Sequence, residues 1–263
     1  MTTREIITHL DSFRGISLEE MDGVKLMTRS DVKYLCHIDQ LPAILEAARD
    51  HYQVLEHHNR RLLGYETLYF DTADNEMYRK HHNRKRNRYK VRVREYQASG
   101  EFFLEVKYKR NTGVTQKVRM PVNPDRDIMQ PEASRFIAEH SEYRAEALEP
   151  RLFSQFQRTT LVSIPLVERI TIDILPNWFI NGLHVELPYL VIMELKGQKF
   201  TNTSGFGKIL REARIQRKRL SKYCTGVNLL YPEEKHNRFK VKMLHLKKLD
   251  KSKQYAHHFT PFA

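Results

Sequence analysis

Short runs in which Lys, Arg, Asp and Glu alternate with apolar residues recur along this chain, and they constrain its fold more than any other feature. Side chains at i, i+2 and i+4 of a β-strand share one face. Each run therefore predicts a strand with one charged and one apolar face. In RSDVKYL, Arg29, Asp31 and Lys33 stand opposite Val32 and Tyr34. In RYKVRVREY, Arg88, Lys90, Arg92 and Arg94 stand opposite Tyr89, Val91 and Val93. In FFLEVKYK, Glu105, Lys107 and Lys109 stand opposite Leu104, Val106 and Tyr108. TQKVRM sets Lys117 and Arg119 against Val118 and Met120, and VERITIDI sets Arg169, Thr171 and Asp173 against Ile170, Ile172 and Ile174. VIMELKGQ places Glu194 and Lys196 on one face.

One such strand alone is an ordinary half-solvated sheet member. Repeated, the pattern gathers cations on a single face, and like charges directly opposite one another destabilise a sheet. A bound anion would relieve that repulsion. If the apolar faces pack outward beneath helices and the sheet closes, the charged faces line its interior. Eight strands then leave room for one narrow ligand. The predicted fold class is α+β, an antiparallel eight-stranded β-barrel tunnel flanked by helices. An extended phosphate chain matches such a tunnel in width and charge. Duplex DNA does not fit, and nucleic acid is not expected as the partner. The overall balance agrees: 45 Lys plus Arg against 32 Asp plus Glu give +13, which favours polyanions.

A single domain over residues 1–263 is expected, with the barrel core at about 27–230. A helical lead-in is predicted at 1–24, where Ile6, Ile7, Leu10 and Phe13 have helical spacing. Strand patterns occupy 27–38, 63–70, 87–97, 101–110, 114–122, 158–163, 167–175, 178–186 and 189–196. Asn111-Thr112-Gly113, Ala98-Ser99-Gly100 and Asn181-Gly182 are hairpin turns between them. Helices are predicted at 40–52, 131–140, 144–157 and 204–224, and 232–263 reads as a basic, weakly patterned tail. The run His81-His82-Asn83-Arg84-Lys85-Arg86 reads as a solvated loop at a tunnel mouth. Cys36 and Cys224 belong to no CxxC pair and read as reduced structural thiols. The first residues lack a signal-peptide core, and no stretch approaches the roughly 18 apolar residues of a membrane span, so a soluble cytoplasmic protein is expected.

Phosphoryl transfer suits this lining. Arg forks bind phosphate oxygens in bidentate fashion and Lys supplies point charges. A carboxylate beside them can hold Mg2+ or Mn2+. The reaction needs mostly positioning and charge neutralisation, so no Ser-His-Asp or Cys-His constellation is required. There is no Walker A or GxGxxG motif.

The segments RSDVKYLCH, YETLYFDT, RYKVRVREY, FFLEVKYKRNTGVTQKVRM, FQRTTL with ERITID, LPYLVIMELKG and RLSKYCTGVN together resemble the VTC domain of the triphosphate tunnel metalloenzyme superfamily. The resemblance implies a tunnel barrel whose polymerases move the γ-phosphate of ATP onto polyphosphate with a divalent metal, preferably manganese. It implies phosphate contacts for Lys33, Arg92, Arg94, Lys107, Lys117, Arg158, Arg169, Lys196, Arg219, Ser221 and Lys222. Arg92, Arg94 and Lys222 would act at the reacting phosphates, and Glu194 would be the principal metal ligand. Arg219 stands where the family pattern has lysine. The superfamily's ExExK opening is reduced here to Arg29, Asp31 and Lys33, which leaves Asp31, Glu105 and Asp173 as secondary metal candidates. Expected partners are ATP and polyphosphate or pyrophosphate. In some relatives the domain is tied to membrane translocation, so export here would need an unidentified membrane protein. Three functions stay open: polymerase, triphosphate or nucleoside triphosphate hydrolase, and non-catalytic polyphosphate binder.

Overall fold

The computed structural model describes residues 2–22, 30–112, 114–164, 167–197 and 204–250. In chain order its helices are α1 (Thr3–Asp11), α2 (Leu18–Asp22), α3 (Leu41–Ala48), α4 (Glu76–His82), α5 (Pro131–His140), α6 (Gly205–Glu212), α7 (Lys222–Leu230) and α8 (Lys240–Leu249). The strands are β1 (Arg14–Ile16), β2 (Ser30–His37), β3 (Tyr52–Leu55), β4 (Leu63–Asp71), β5 (Arg88–Tyr96), β6 (Glu101–Lys109), β7 (Thr115–Val122), β8 (Glu149–Ser163), β9 (Glu168–Ile180), β10 (Leu183–Glu186) and β11 (Leu190–Gly197).

The main sheet runs β2-β11-β9-β8-β4-β5-β6-β7, and every neighbouring pair in it is antiparallel. The ladder of hydrogen bonds stays open, with β2 and β7 at its ends. It is nonetheless strongly curled. In a flat sheet β2 and β6 would lie about 29 Å apart. Instead Lys107 of β6 lies within the electrostatic reach of Lys33 on β2 and Glu194 on β11. The free edge of β2 is covered in part by the segment before α7, where Tyr34 bridges to Arg217 and Lys218 N–H donates to the Lys33 carbonyl at 2.8 Å. Such cover keeps an edge from pairing with another chain.

The apolar faces point outward and are buried, as the alternation requires. Tyr34, Cys36, Ile170, Ile172, Met193 and Leu195 pack beneath α1, α3 and α6 through Ile6, Leu10, Ile44, Leu45, Phe206 and Leu210. Val91, Val93, Leu104 and Val106 pack beneath α5 through Ala133 and Ile137. α7 and α8 instead cover one end of the sheet, where Trp178 is fully buried against Leu152, Tyr223 and Val227.

Several segments depart from the sequence reading. Residues 149–157, expected as helix, belong to the long strand β8. Leu148, Leu152 and Phe156 are spaced by four, which suits either period, and the pairing partners β4 and β9 decide for strand. The helix expected at 204–224 is two helices, α6 and α7. Between them Arg214 takes a positive φ of 57°, and Ser221 starts α7 by accepting from Cys224 N–H. Residues 240–249, expected within a tail, form α8, which buries Met243 and Leu246 beside Phe239. α4 takes in the start of the run expected as a loop, since His81 and His82 form its last turn. Arg29, Gly113 and positions 251–263 of the expected tail lie outside the described residues.

Candidate functional site

Three carboxylates stand on the concave face of the sheet, and each is shared between two cations. Glu194 accepts from Lys33 Nζ at 2.5 Å, and Lys196 Nζ lies 3.8 Å from its other oxygen. Asp173 receives both nitrogens of the Arg158 fork, at 2.5 and 2.9 Å, and also Lys222 from the first turn of α7. Glu105 receives Arg92 Nε at 2.7 Å on one oxygen and Lys117 on the other. Strand register creates these meetings: Glu194 lies opposite Lys33, Arg158 opposite Asp173, and Arg92 opposite Glu105. Burial alone would raise the carboxyl pKa values, but the flanking cations win. Glu194 is held down to about 2 by Lys33 and Lys196. Asp173 and Glu105 are likewise held below the usual carboxylate range, by Arg158 with Lys222 and by Arg92 with its neighbours.

Cations remain in excess. Lys90 lies opposite Lys107 and Lys107 opposite Lys117. Burial, reinforced by neighbouring positive charge, lowers Lys90, Lys107, Lys117 and Lys196 to about 8 and Lys222 to about 7. Lys107 and Lys117 reach solvent, yet the protein around them is dense enough for burial to be the main cause lowering both. That combination describes the wall of a wet channel. Aromatic rings take up part of the charge. Tyr65 stacks on Phe156 with ring centroids 5.4 Å apart, Arg94 and Arg158 lie over both rings, and Lys222 Nζ is 4.0 Å from the Phe156 centroid. Arg94 also donates to Thr67 at 3.2 Å.

The residues matched by the VTC domain family are 28–231, which takes in every strand of the curled path and the whole of α7. The chain belongs to the VTC domain family. The VTC domain here has the α+β triphosphate tunnel fold. A solved structure from Hippeastrum, described as an adenylyl cyclase candidate with a dominant triphosphatase activity, superposes with a TM-score of 0.52 at 12% identity, covering 77% of this chain and 96% of that one. A Vibrio parahaemolyticus structure described as an adenylate cyclase candidate gives 0.44 at 14% identity, covering 75% and 97%. No curated protein sequence matches this chain.

The VTC domain brings Lys33, Arg92, Arg94, Lys107, Lys117, Arg158, Glu194, Lys196 and Lys222 into one electrostatically connected group. Arg169 lies opposite Lys196 and acts on it. Ser221 caps α7 and accepts from Lys90 Nζ at 2.9 Å. Arg219 stands apart: it is exposed and acts on Arg88, Lys109 and Lys242. Asp31, opposite Lys196, is exposed.

No group of three or more His, Cys, Asp or Glu among the described residues forms a ready metal cage. The donor set nonetheless suits a hard divalent ion held jointly with phosphate oxygens, since Mg2+ commonly takes only one or two protein carboxylates. Glu194 is the least buried of the three lining carboxylates, and Thr171 beside it carries a buried hydroxyl with no partner. Sequence reading missed Phe156 as a member of this site, and it set Lys90 on the charged face without giving it a role of its own. Both were visible in principle, because Phe156 alternates with Arg158 and Lys90 with Arg92.

Proposed function

We propose that this VTC domain protein is a metal-dependent polyphosphate polymerase that transfers the γ-phosphate of ATP to a polyphosphate chain in its basic tunnel. The observation carrying this reading is the surplus of cations over three carboxylates that are each already shared. A phosphate chain supplies the missing negative charge along the whole row. In the proposed reaction a terminal chain oxygen forms a bond to the γ-phosphorus. The bond from that phosphorus to the β,γ-bridging oxygen breaks, its electron pair stays on the departing ADP, and the chain gains one phosphate.

Arg92, Arg94 and Lys222 act at the reacting phosphates by neutralising charge as it shifts. Lys33, Lys107, Lys117, Arg158, Arg169, Lys196 and Ser221 hold the chain, and Arg219 stands at its end. Glu194 would hold Mn2+ or Mg2+ together with phosphate oxygens, and the ion would supply further charge neutralisation. Full-length protein with ATP and Mn2+ is expected to yield products that grow on a sizing gel, and Glu194→Gln is expected to abolish growth without loss of fold. Orthophosphate release without growth would instead support a tunnel triphosphatase. The Hippeastrum structure, described as having dominant triphosphatase activity, lends that second reading its support. Binding of polyphosphate with neither product would leave a non-catalytic binder.

A further inference from the structure

The tunnel is blocked at its α7 end. Leu35 and Ile192 lie opposite one another, on the same faces as Lys33 and Glu194. With Tyr69, Leu152 and Trp178 they pack against Tyr223 and Val227 of α7, and α8 backs that core. A chain longer than the tunnel cannot leave straight along its axis there. The side bounded by β5 and β6 is different. Arg88 and Lys109 lie opposite each other, two residues beyond Lys90 and Lys107 on the same faces. Arg219, just before α7, acts on both, and Lys242 of α8 is acted on by Arg219, Arg84 and Arg88. No described carboxylate forms an ion pair with Arg88, Lys109, Arg219 or Lys242. The Lys242 ammonium sits 4.9 Å over the Phe239 ring. Cations thus continue without a break from Lys90 and Lys107 to the protein surface, deflected around α7.

We propose that Arg88, Lys109 and Lys242 form a second phosphate lane outside the tunnel, continuing from Arg219 at the tunnel's end, that holds the part of a polyphosphate chain extending past α7. The lane makes the protein favour long chains over short ones. It rests on the polyphosphate reading of the tunnel. It also goes beyond the family match, because Lys242 lies after residue 231. A triphosphate fills only the tunnel and does not reach the lane, whereas a long chain occupies both.

The test compares tripolyphosphate with long-chain polyphosphate, titrated at one salt concentration into the full chain and into Lys242→Glu and Lys109→Glu. Lys109 is exposed, so its variant folds even if the α8 substitution does not. The expected result is tripolyphosphate affinity within about twofold of the parent, while long-chain affinity falls about tenfold per variant, as for the loss of one charged contact. Unchanged long-chain affinity, or an equal fall for both ligands, overturns the lane. A parent protein that binds neither ligand overturns the tunnel reading itself, which is a separate result.

Discussion

Asp173 illustrates how single residues of this site are held. Its side chain is 4% exposed and compensates both Arg158 and Lys222. Replacing one partner of a buried ionic cluster leaves uncompensated charge. Asp173→Asn is expected to destabilise the free protein by about 3 kcal/mol, read as a Tm fall of roughly 6–12 °C in a chain of this size. Added tripolyphosphate should raise Tm more in the variant than in the parent, because phosphate takes over the lost negative charge. Equal ligand-induced shifts would disconnect Asp173 from the phosphate site. The tunnel lysines make a second prediction. Burial, with neighbouring cations, sets Lys90, Lys107 and Lys196 at about 8, against 10.5 for an ordinary lysine. A bound polyanion raises those values again. Binding between about pH 8 and 10 must therefore take up protons, and affinity must fall as pH rises through that window. Calorimetry at pH 8.5 in buffers of different ionisation enthalpy should report the uptake, and a buffer-independent enthalpy would refute it.

Among the elements, α7 links packing to chemistry. Ser221 caps it, and its next residue, Lys222, reaches Asp173. Asp71, at the end of β4, accepts Met77 and Tyr78 N–H at the start of α4 and the Tyr223 hydroxyl of α7, so one carboxylate ties three elements together. At Gly226 an added Cβ would lie 2.4 Å from Trp178 Cδ1 and 3.0 Å from Leu152 Cδ1. Trp178 is fully buried and cannot swing aside. Gly226→Ala is expected to destabilise by about 2 kcal/mol through overpacking, and by shifting α7 to lower phosphate affinity as well. A variant with the parent's Tm and affinity would show that α7 has slack. Ser221→Ala should lower stability by about 1 kcal/mol through loss of the cap and free Lys90; thermal melts with parallel titrations check both effects. α7 could be read in the sequence only as part of a longer helical pattern, because its true start depends on the extended segment pairing with β2.

For the whole molecule, a net charge of +13 and a continuous cationic interior predict strongly salt-dependent polyphosphate binding. Log affinity should fall linearly with log salt as counterions are exchanged, and charge reversal at Arg92 should flatten that slope. A salt-independent affinity would place binding away from the tunnel. Among the described residues no helix is long and apolar enough to cross a membrane. Much of this architecture was legible before any coordinates. Arg88, Lys90, Arg92 and Arg94 alternate with Tyr89, Val91 and Val93, and a period of two encodes locally which side chains share a face. The antiparallel order around the Asn181-Gly182 turn and the demand for a polyanion follow from the same local signals. Tertiary structure alone decided which charges meet. Lys33 and Glu194 are 161 residues apart, and only the pairing of β11 with β2 sets them 2.5 Å from each other. It also decided that β8 is a strand throughout, that the ladder curls without closing, and that α7 and α8 block one end. Periodicity assigns each side chain to a face, whereas curvature and ion-pair partners arise from long-range register that no single segment carries.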